Sequence, residues 1–444
     1  MKAELTSLRG RSDLVGPALR RALVELADGF LRELLGAPGP GVALLAVGGY
    51  GRGEPAPCSD LDLLLLHDGR RDDVAALAER VWYPLWDAGV GLDHSVRTLD
   101  EAVSVADRDL KAALGLLDAR TVAGDPTLAA AMLERVRSRW RARAARRLPE
   151  LADLVTDRAS RHGEVAFLLE PDLKEARGGL RDVHALRALA AAWVADPPAP
   201  RVLAAYRLLL DARGELHRRL RGRGRGEDRL LLQEQDAIAA TLSCVDADAL
   251  AHAVADAGRT IAWAWDICWH RASAGLRPAP RWRRRPVRRP LDEGVVEQDG
   301  EVQLARDAVP ADDPVLVLRA AAAAARAGLP FGPYALDRLV AEAPPLPVPW
   351  PDAARDALVA LLGAGPPAVP VVEALDQVGL LVRLLPDWTR VRSKPQRNPY
   401  HRFTVDRHLM EAAARATAFT RDVERPDLLL VGAWLHDLGK GYPG

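Results

Sequence analysis

Two aspartates spaced two residues apart are the strongest candidates for chemistry in this sequence. Asp60 and Asp62 lie immediately before the apolar run Leu63–Leu66. Residues two apart on an extended strand project to the same face, so the two carboxylates would lie together. Carboxylate oxygens are ligands that Mg²⁺ prefers, and Mg²⁺ commonly shares them with substrate phosphates. The spacing therefore predicts a magnesium site on a strand that is fixed in a hydrophobic core.

Small and polar residues next to the aspartates form a candidate phosphate-binding segment. Glycines lack Cβ atoms, so their backbone N–H groups can approach a triphosphate closely, and guanidinium and hydroxyl groups add further donors. The residues concerned are Gly48, Gly49, Gly51, Arg52 and Ser59. A glycine turn or an acidic pair alone is more often a plain structural feature. Their combination indicates a site for a metal-bound nucleotide.

The surrounding sequence predicts a compact α/β domain that positions these residues. Apolar residues at helical spacing predict helices within 13–36 and over 72–88. Short apolar segments bounded by turn residues predict strands at 42–47, 61–67 and 91–98. The glycines would then follow the first strand, and the aspartates would begin the second.

The segment from Val47 to His67, VGGYGRGEPAPCSDLDLLLLH, resembles the signature of the polymerase-β-like nucleotidyltransferases. It is most similar to the bifunctional PII uridylyltransferase/uridylyl-removing enzyme family, whose pattern is GG-x-GR-x-E followed by SD-x-DLLLL. The resemblance implies that Asp60 and Asp62 bind metal. It also implies that the glycines and Ser59 hold the triphosphate.

The resemblance further implies a third catalytic carboxylate on a neighbouring strand. Residues 94–98, HSVRT, match the family's next strand, and Asp93 directly precedes them. We therefore assign Asp93 as the third metal ligand and catalytic carboxylate. The alternative is that Asp93 is simply a polar residue at the start of a strand.

A second resemblance covers residues 167–187, which match the family segment EP-x-x-K-x-x-x-GGLRD. Here Lys174 and Arg181 are candidates for binding the nucleotide phosphates across a cleft. The alternative is an interdomain clip held by salt bridges of Glu175 and Asp182.

A third group of candidates is a set of histidines near the C-terminal end. An adjacent pair, His436 and Asp437, follows His408 by one helix, which suits divalent metal binding. These residues resemble the start of an HD-domain phosphohydrolase, the domain that removes the nucleotide in the family, and would be three of its ligands. The remaining HD ligands and the paired ACT domains do not occur before Gly444, so we expect the sequence to end inside the HD domain and the hydrolase to be incomplete.

Composition narrows the class of protein. The 444 residues include 61 Lys and Arg and 61 Asp and Glu, and this zero net charge argues against a nucleic-acid partner. The three cysteines, Cys58, Cys244 and Cys268, are odd in number and form no CxxC pair, which favours a reducing, cytoplasmic location. No stretch approaches the roughly 18 apolar residues of a membrane span, so we expect no membrane partner.

We predict an α+β, mostly α architecture with several domains. Its predicted parts are an N-terminal helix (1–36), a polymerase-β-like nucleotidyltransferase domain (37–125), an associated helical domain (126–276), a Pro/Arg linker (277–290), a central linker domain (291–385) and the N-terminal part of an all-α HD domain (386–444). Within the central domain, residues 294–304 predict a β-hairpin.

The resemblance implies a function as well as a fold. We expect Mg²⁺-dependent transfer of UMP from UTP, or AMP from ATP, to a tyrosine of a PII signalling protein in nitrogen regulation. The alternatives are an enzyme like tRNA nucleotidyltransferase, which would need an extended basic groove, and a non-catalytic regulator that binds nucleotide. The presence of both Asp60 and Asp62 argues against the second alternative.

Overall fold

A computed structural model describes residues 8, 11, 13–220, 227–276, 288–396 and 403–442 of the chain. The chain divides into two compact units, the first comprising residues 1–165 and 170–278 and the second residues 166–169 and 279–444. The described residues are mostly helical, with two small sheets. None of the helices in this part of the chain is long and apolar enough to cross a membrane.

The first unit contains a four-stranded mixed sheet in the order β3-β2-β1-β4. Its strands are β1 Val42–Ala46, β2 Leu61–His67, β3 Leu92–Thr98 and β4 Arg120–Gly124. β1 lies antiparallel to both β2 and β4, whereas β2 and β3 are parallel. The three predicted strands are confirmed. The short strand β4 was not predicted, because it has one buried residue, Val122, and no apolar alternation.

Helices surround this sheet, and the predicted helices at 13–36 and 72–88 are confirmed as α1 and α3. The helices of the first unit are α1 Gly16–Leu35, α2 Gly48–Gly51, α3 Val74–Asp87, α4 Leu99–Arg108, α5 Leu110–Leu117, α6 Pro126–Ala142, α7 Ala144–His162, α8 Leu180–Ala191, α9 Pro200–Leu220, α10 Leu232–Thr241 and α11 Ala247–Leu276. The sequence determines several of their starts. Thr98 and Glu101 form a capping box that begins α4, and Asp109 caps the backbone N–H groups that begin α5.

The two faces of the sheet pack against different helices. Leu63 and Leu65 of β2 pack with α1 and α3, whereas Leu64 and Leu66 belong to a second core. The buried residues of this second core form one cluster, and their sequence positions range from Ala43 to Ala272. The predicted boundary between 37–125 and 126–276 therefore does not separate two hydrophobic cores, because the helices after residue 126 cover one face of the sheet.

The second unit contains a three-stranded antiparallel sheet followed by helices. Its elements are β5 Arg289–Asp292, β6 Val295–Gln298, β7 Glu301–Leu304, α12 Leu316–Ala327, α13 Pro333–Glu342, α14 Asp352–Gly363, α15 Ala368–Gln377, α16 Leu380–Leu384, α17 Val405–Ala416 and α18 Pro426–Leu435. β6 and β7 confirm the predicted hairpin. Residues 277–287 of the predicted linker lie outside the described residues, and its last two residues begin β5.

Candidate active site

The three predicted carboxylates line one cavity of about 1070 Å³ in the first unit. Asp62 on β2 and Asp93 on β3 are paired directly in the parallel register, so both project from the same face of the sheet. Asp60 precedes β2, and its carboxylate lies against the backbone of Gly91, where any Cβ would overlap it. The structure therefore brings Asp60, Asp62 and Asp93 together, as the sequence predicted.

The carboxylates repel one another. Burial, together with the charges of Asp93 and Asp60, raises the pKa of Asp62 to about 6, against the opposing charges of Lys174 and Lys111. A divalent cation would relieve this repulsion, and three carboxylates facing an open cavity fit the oxygen-ligand preference of Mg²⁺. This donor set could hold one or two such ions.

The glycine turn lies beside these carboxylates. Gly48 has φ of +56°, and a Cβ there would lie 2.7 Å from Asp62 Oδ2. Gly48 and Gly49 both line the cavity. Gly51 does not line the cavity, although the sequence analysis assigned it to nucleotide binding. A Cβ at Gly51 would lie 2.8 Å from the carbonyl oxygen of Ala46 and 2.7 Å from that of Asp118, so this position requires glycine for packing.

Tyr50 connects the glycine turn to the N-terminal helix α1. Its buried hydroxyl donates a hydrogen bond to Asp28 Oδ1 at 2.6 Å, and Arg120 of β4 donates to both oxygens of Asp28 at 2.7 and 2.9 Å. Burial and the Asp28 charge raise the pKa of Tyr50, which keeps its hydroxyl a donor. One buried carboxylate thus holds α1, the glycine turn and β4 together.

Arg52 and Ser59 line the cavity but also hold the loop in place. The Arg52 guanidinium lies 2.8 Å from Glu54 Oε2 and 2.9 Å from Asp118 Oδ2. Ser59 Oγ accepts a hydrogen bond of 3.1 Å from the backbone N–H of Ala56. Both residues therefore stabilise the glycine-to-aspartate loop, with their side chains at the cavity surface.

Lys174 and Arg181 line the same cavity as the carboxylates. Lys174 Nζ lies 3.5 Å from Asp228 Oδ2, and Arg181 Nε lies 2.8 Å from Glu175 Oε1. Each cation thus has a single carboxylate at its head group in the described part of the chain and retains a surface on the cavity. This arrangement is compatible with binding of the nucleotide phosphates.

The salt bridges considered as an alternative for this segment are also present. The buried carboxylate of Asp182 lies 2.6 Å from Arg158 and accepts a hydrogen bond of 2.7 Å from the backbone N–H of Gly178. Both residues of the pair are within the first unit. The segment is therefore braced internally by Asp182 while it presents Lys174 and Arg181 to the cavity.

The predicted metal-binding histidines of the second unit are also brought together. His408 Nε2 lies 3.2 Å from His436 Nε2, and Asp437 Oδ2 lies 3.5 Å from the former and 3.4 Å from the latter. One ligand atom from each of the three lies within 4.8 Å of the others. Lys440 Nζ lies 2.7 Å from Asp437 Oδ2. Partial burial alone would raise the pKa of Asp437, but Lys440 and the two histidines outweigh this effect and lower the pKa. The cluster fits a divalent metal by donor type.

Comparison with known proteins identifies relatives of the chain by sequence. The family model of the GlnD PII-uridylyltransferase matches residues 145–262. The chain is 58% identical to the bifunctional uridylyltransferase/uridylyl-removing enzyme of Streptomyces coelicolor. The alignment includes 97% of this chain and 53% of that enzyme. Proteins of the same name from Mycobacterium tuberculosis and Corynebacterium glutamicum are 50% and 39% identical over 94% and 91% of the chain, which covers 52% and 57% of them.

The chain belongs to the bifunctional uridylyltransferase/uridylyl-removing enzyme family. It spans about half the length of the curated relatives it matches. The region that matches the uridylyltransferase family model includes the segment that carries Lys174 and Arg181.

Sequence reasoning missed a buried polar network that lines the cavity of this uridylyltransferase-family chain. The hydroxyl of Tyr206 donates a hydrogen bond to Glu54 and lies 2.8 Å from His184 Nε2, and Arg187 packs over the Tyr206 ring at 4.8 Å. Burial and the nearby charge of Arg52 hold the pKa of His184 well below its usual value, so its ring is neutral. The sequence signals were Glu54 in the family pattern and the place of His184 and Arg187 within the matched segment 167–187, whereas Tyr206 is 152 positions from Glu54 and carried no signal.

Proposed function

We propose that this chain is a Mg²⁺-dependent nucleotidyltransferase that transfers UMP from UTP to a tyrosine of a nitrogen-regulatory PII protein. The observation that carries the proposal is the pairing of Asp62 with Asp93 on adjacent parallel strands, beside Asp60 and Gly48, in one cavity. The names of the relatives, uridylyltransferase/uridylyl-removing enzyme, support the choice of UTP. ATP is the alternative donor.

The three carboxylates of the cavity have distinct roles in this reaction. The acceptor hydroxyl oxygen bonds to the α-phosphorus, the bond from that phosphorus to the bridging oxygen breaks, and pyrophosphate leaves with the electron pair. Asp93 accepts the hydroxyl proton, while Asp60 and Asp62 hold the metal. When bound, Mg²⁺ supplies charge neutralisation at the attacking and leaving oxygens.

The remaining groups bind the nucleotide in position. Backbone N–H groups of Gly48 and Gly49 contact the triphosphate, and Lys174 and Arg181 compensate the charge that develops on pyrophosphate. Because Lys174 and Arg181 are each held by a carboxylate, and Gly48 lies against Asp62, little reorganisation is needed when charge develops. The same geometry and the family membership favour this reaction over tRNA nucleotidyl transfer and over non-catalytic nucleotide binding.

The direct test mixes the purified chain with PII protein, Mg²⁺ and either UTP or ATP, followed by mass spectrometry of PII. We expect one added UMP per modified subunit with UTP, and no addition with Asp60→Asn. Addition of AMP alone would change the donor assignment. No addition from either nucleotide, with the wild-type chain folded, would refute the transferase.

We further propose that His408, His436 and Asp437 bind a divalent metal ion, as three ligands of the nucleotidyl-removing HD site. The distances of 3.2–3.5 Å between their ligand atoms support this. Titration with Mn²⁺ monitored by calorimetry should detect a site that His408→Ala removes. Asp60→Asn should retain that site, because Asp60 belongs to the other unit. An isotherm unaffected by His408→Ala would contradict the assignment.

A further inference from the structure

We infer that the open edge of strand β3 is the docking surface for the acceptor protein, which binds by adding an extended segment that carries the acceptor tyrosine. This inference rests on the proposed transferase function. β3 is the terminal strand of the order β3-β2-β1-β4, and no further strand pairs with it among the described residues. An edge strand presents unpaired N–H and C=O groups and is a template for another strand.

The register shows which backbone groups of β3 are available. The backbone N–H of Leu61 donates to the carbonyl of Gly91 at 2.8 Å, at the start of the parallel β2–β3 ladder. Backbone groups of successive residues alternate in direction along such a ladder. Those of Asp93, Ser95 and Arg97 therefore point to β2. Those of His94 and Val96 point to the open edge.

The side chains of the same strand connect this edge to the candidate active site. Asp93, Ser95 and Arg97 line the cavity. A strand added to β3 would lie about 4.8 Å from it. Its residue opposite Asp93 would then project from the same face of the sheet into the cavity. A tyrosine at that position would bring its hydroxyl toward the carboxylate that accepts the proton.

The other side of the edge offers an aromatic surface for the same segment. The ring of Trp86 in α3 lies 5.5 Å from that of Tyr83 and 5.3 Å from that of His94. Tyr83, Trp86 and Val96 are 54%, 46% and 38% exposed, which is a concentration of apolar surface beside one strand. Exposed aromatic residues of this kind are typical of protein-binding surfaces. The partner segment should therefore carry apolar residues on alternate positions.

A second copy of the chain fits this edge less well than the acceptor. Pairing of two β3 edges would cover the strand that carries Asp93 and would obstruct access of an acceptor to the cavity. An acceptor segment instead uses the continuity between the edge and the cavity.

The test compares edge variants in steady-state transfer of UMP from UTP to purified PII protein with Mg²⁺. Val96→Pro removes a backbone N–H that points away from the sheet. Proline is tolerated at such positions of an edge strand. Val96→Lys places a charge that blocks strand addition and does not depend on proline geometry. We expect either variant to raise KM for PII by about tenfold, with kcat and KM for UTP nearly unchanged.

Val340→Lys is the matched control, since Val340 is also 38% exposed but lies on α13 of the second unit. It should leave every constant unchanged. If wild type does not modify PII, the proposed function itself is refuted. If wild type modifies PII but the Val96 variants, folded by circular dichroism, keep the wild-type KM for PII, only the docking inference is refuted. A shift from dimer to monomer in sedimentation, without a change in KM, would assign the edge to self-association and refute it as well.

Discussion

At the scale of single residues, the position of Asp62 lowers the stability of the folded state. Burial and its acidic neighbours raise its pKa to about 6, above the roughly 4 expected in an unfolded chain. The folded protein therefore binds more protons than the unfolded one between about pH 4 and 6. Its free energy of unfolding should fall as the pH rises through this window when no metal is present.

We predict that Asp62→Asn stabilises the metal-free protein at pH 7.5 by about 2 kcal/mol while it abolishes transfer. Urea unfolding in EDTA between pH 4.5 and 7.5 measures the stability, and mass spectrometry of PII measures the transfer. The variant should also lose the decrease in stability that wild type shows across that pH range.

Asp72→Asn is the control for this experiment, because Asp72 is exposed on the loop before α3. Its pH profile should match that of wild type. A destabilised Asp62→Asn protein would contradict the account of repulsion among the carboxylates.

The backbone of Gly91 lies against the carboxylate of Asp60. A Cβ at Gly91 would overlap Asp60 Oδ1, so Gly91→Ala must displace that carboxylate. We expect kcat for UMP transfer to fall by at least about tenfold, with the circular dichroism spectrum unchanged. Gly29→Ala on α1, where no atom lies within 4 Å of the added Cβ, should keep full activity. Equal activity of the two variants would show that Asp60 tolerates displacement.

At the scale of elements, a buried ion pair between Arg158 of α7 and Asp182 of α8 holds the two helices and the segment between them in place. Removing one partner of such a pair leaves an uncompensated charge, so Asp182→Ala should destabilise the first unit by about 3–5 kcal/mol. Asp157→Ala, which removes the exposed partner of Arg161 on the same helix, should cost about 0–1 kcal/mol. Urea unfolding of the two variants measures the contrast. Similar losses would mean that Asp182 is compensated by other groups.

The elements that carry the carboxylates could be predicted from sequence, whereas their supports could not. Local apolar runs bounded by turn residues located β1, β2 and β3, and the family pattern located Asp93. The assignments of Gly51 and Arg52 to the nucleotide rested on residue type and on the family pattern. The pattern could not reveal that Gly51 packs against the backbone carbonyl of Asp118, or that Arg52 pairs with the Asp118 carboxylate, since both contacts join residues about 66 positions apart.

At the scale of the whole molecule, two units should respond to different ligands. A ligand that binds only the folded state raises the unfolding temperature of the unit that holds it. We expect two transitions in calorimetry: UTP with Mg²⁺ should raise one, and Mn²⁺ should raise the other through His408. His408→Ala should abolish only the Mn²⁺ shift. A Mn²⁺ shift that His408→Ala leaves unchanged, or loss of the UTP shift in that variant, would contradict separate sites.

The sequence could not predict how the segments share cores. Boundaries at residues 36 and 125 followed changes in local pattern, yet the helices beyond residue 126 cover one face of the sheet. The hydrophobic periodicity of a helix shows that one of its faces is buried. It does not show which element that face packs against, because the helix is amphipathic whichever partner it has.

The shared carboxylate of Asp28 has a consequence for the opening helix. Although α1 contributes no residue to the lining of the cavity, it supplies the acceptor for the hydroxyl beneath the glycine turn. Deletion of residues 1–36 would leave that hydroxyl and the Arg120 guanidinium without their common partner. The position of the glycine turn therefore depends on a helix that contributes no residue to the lining of the cavity.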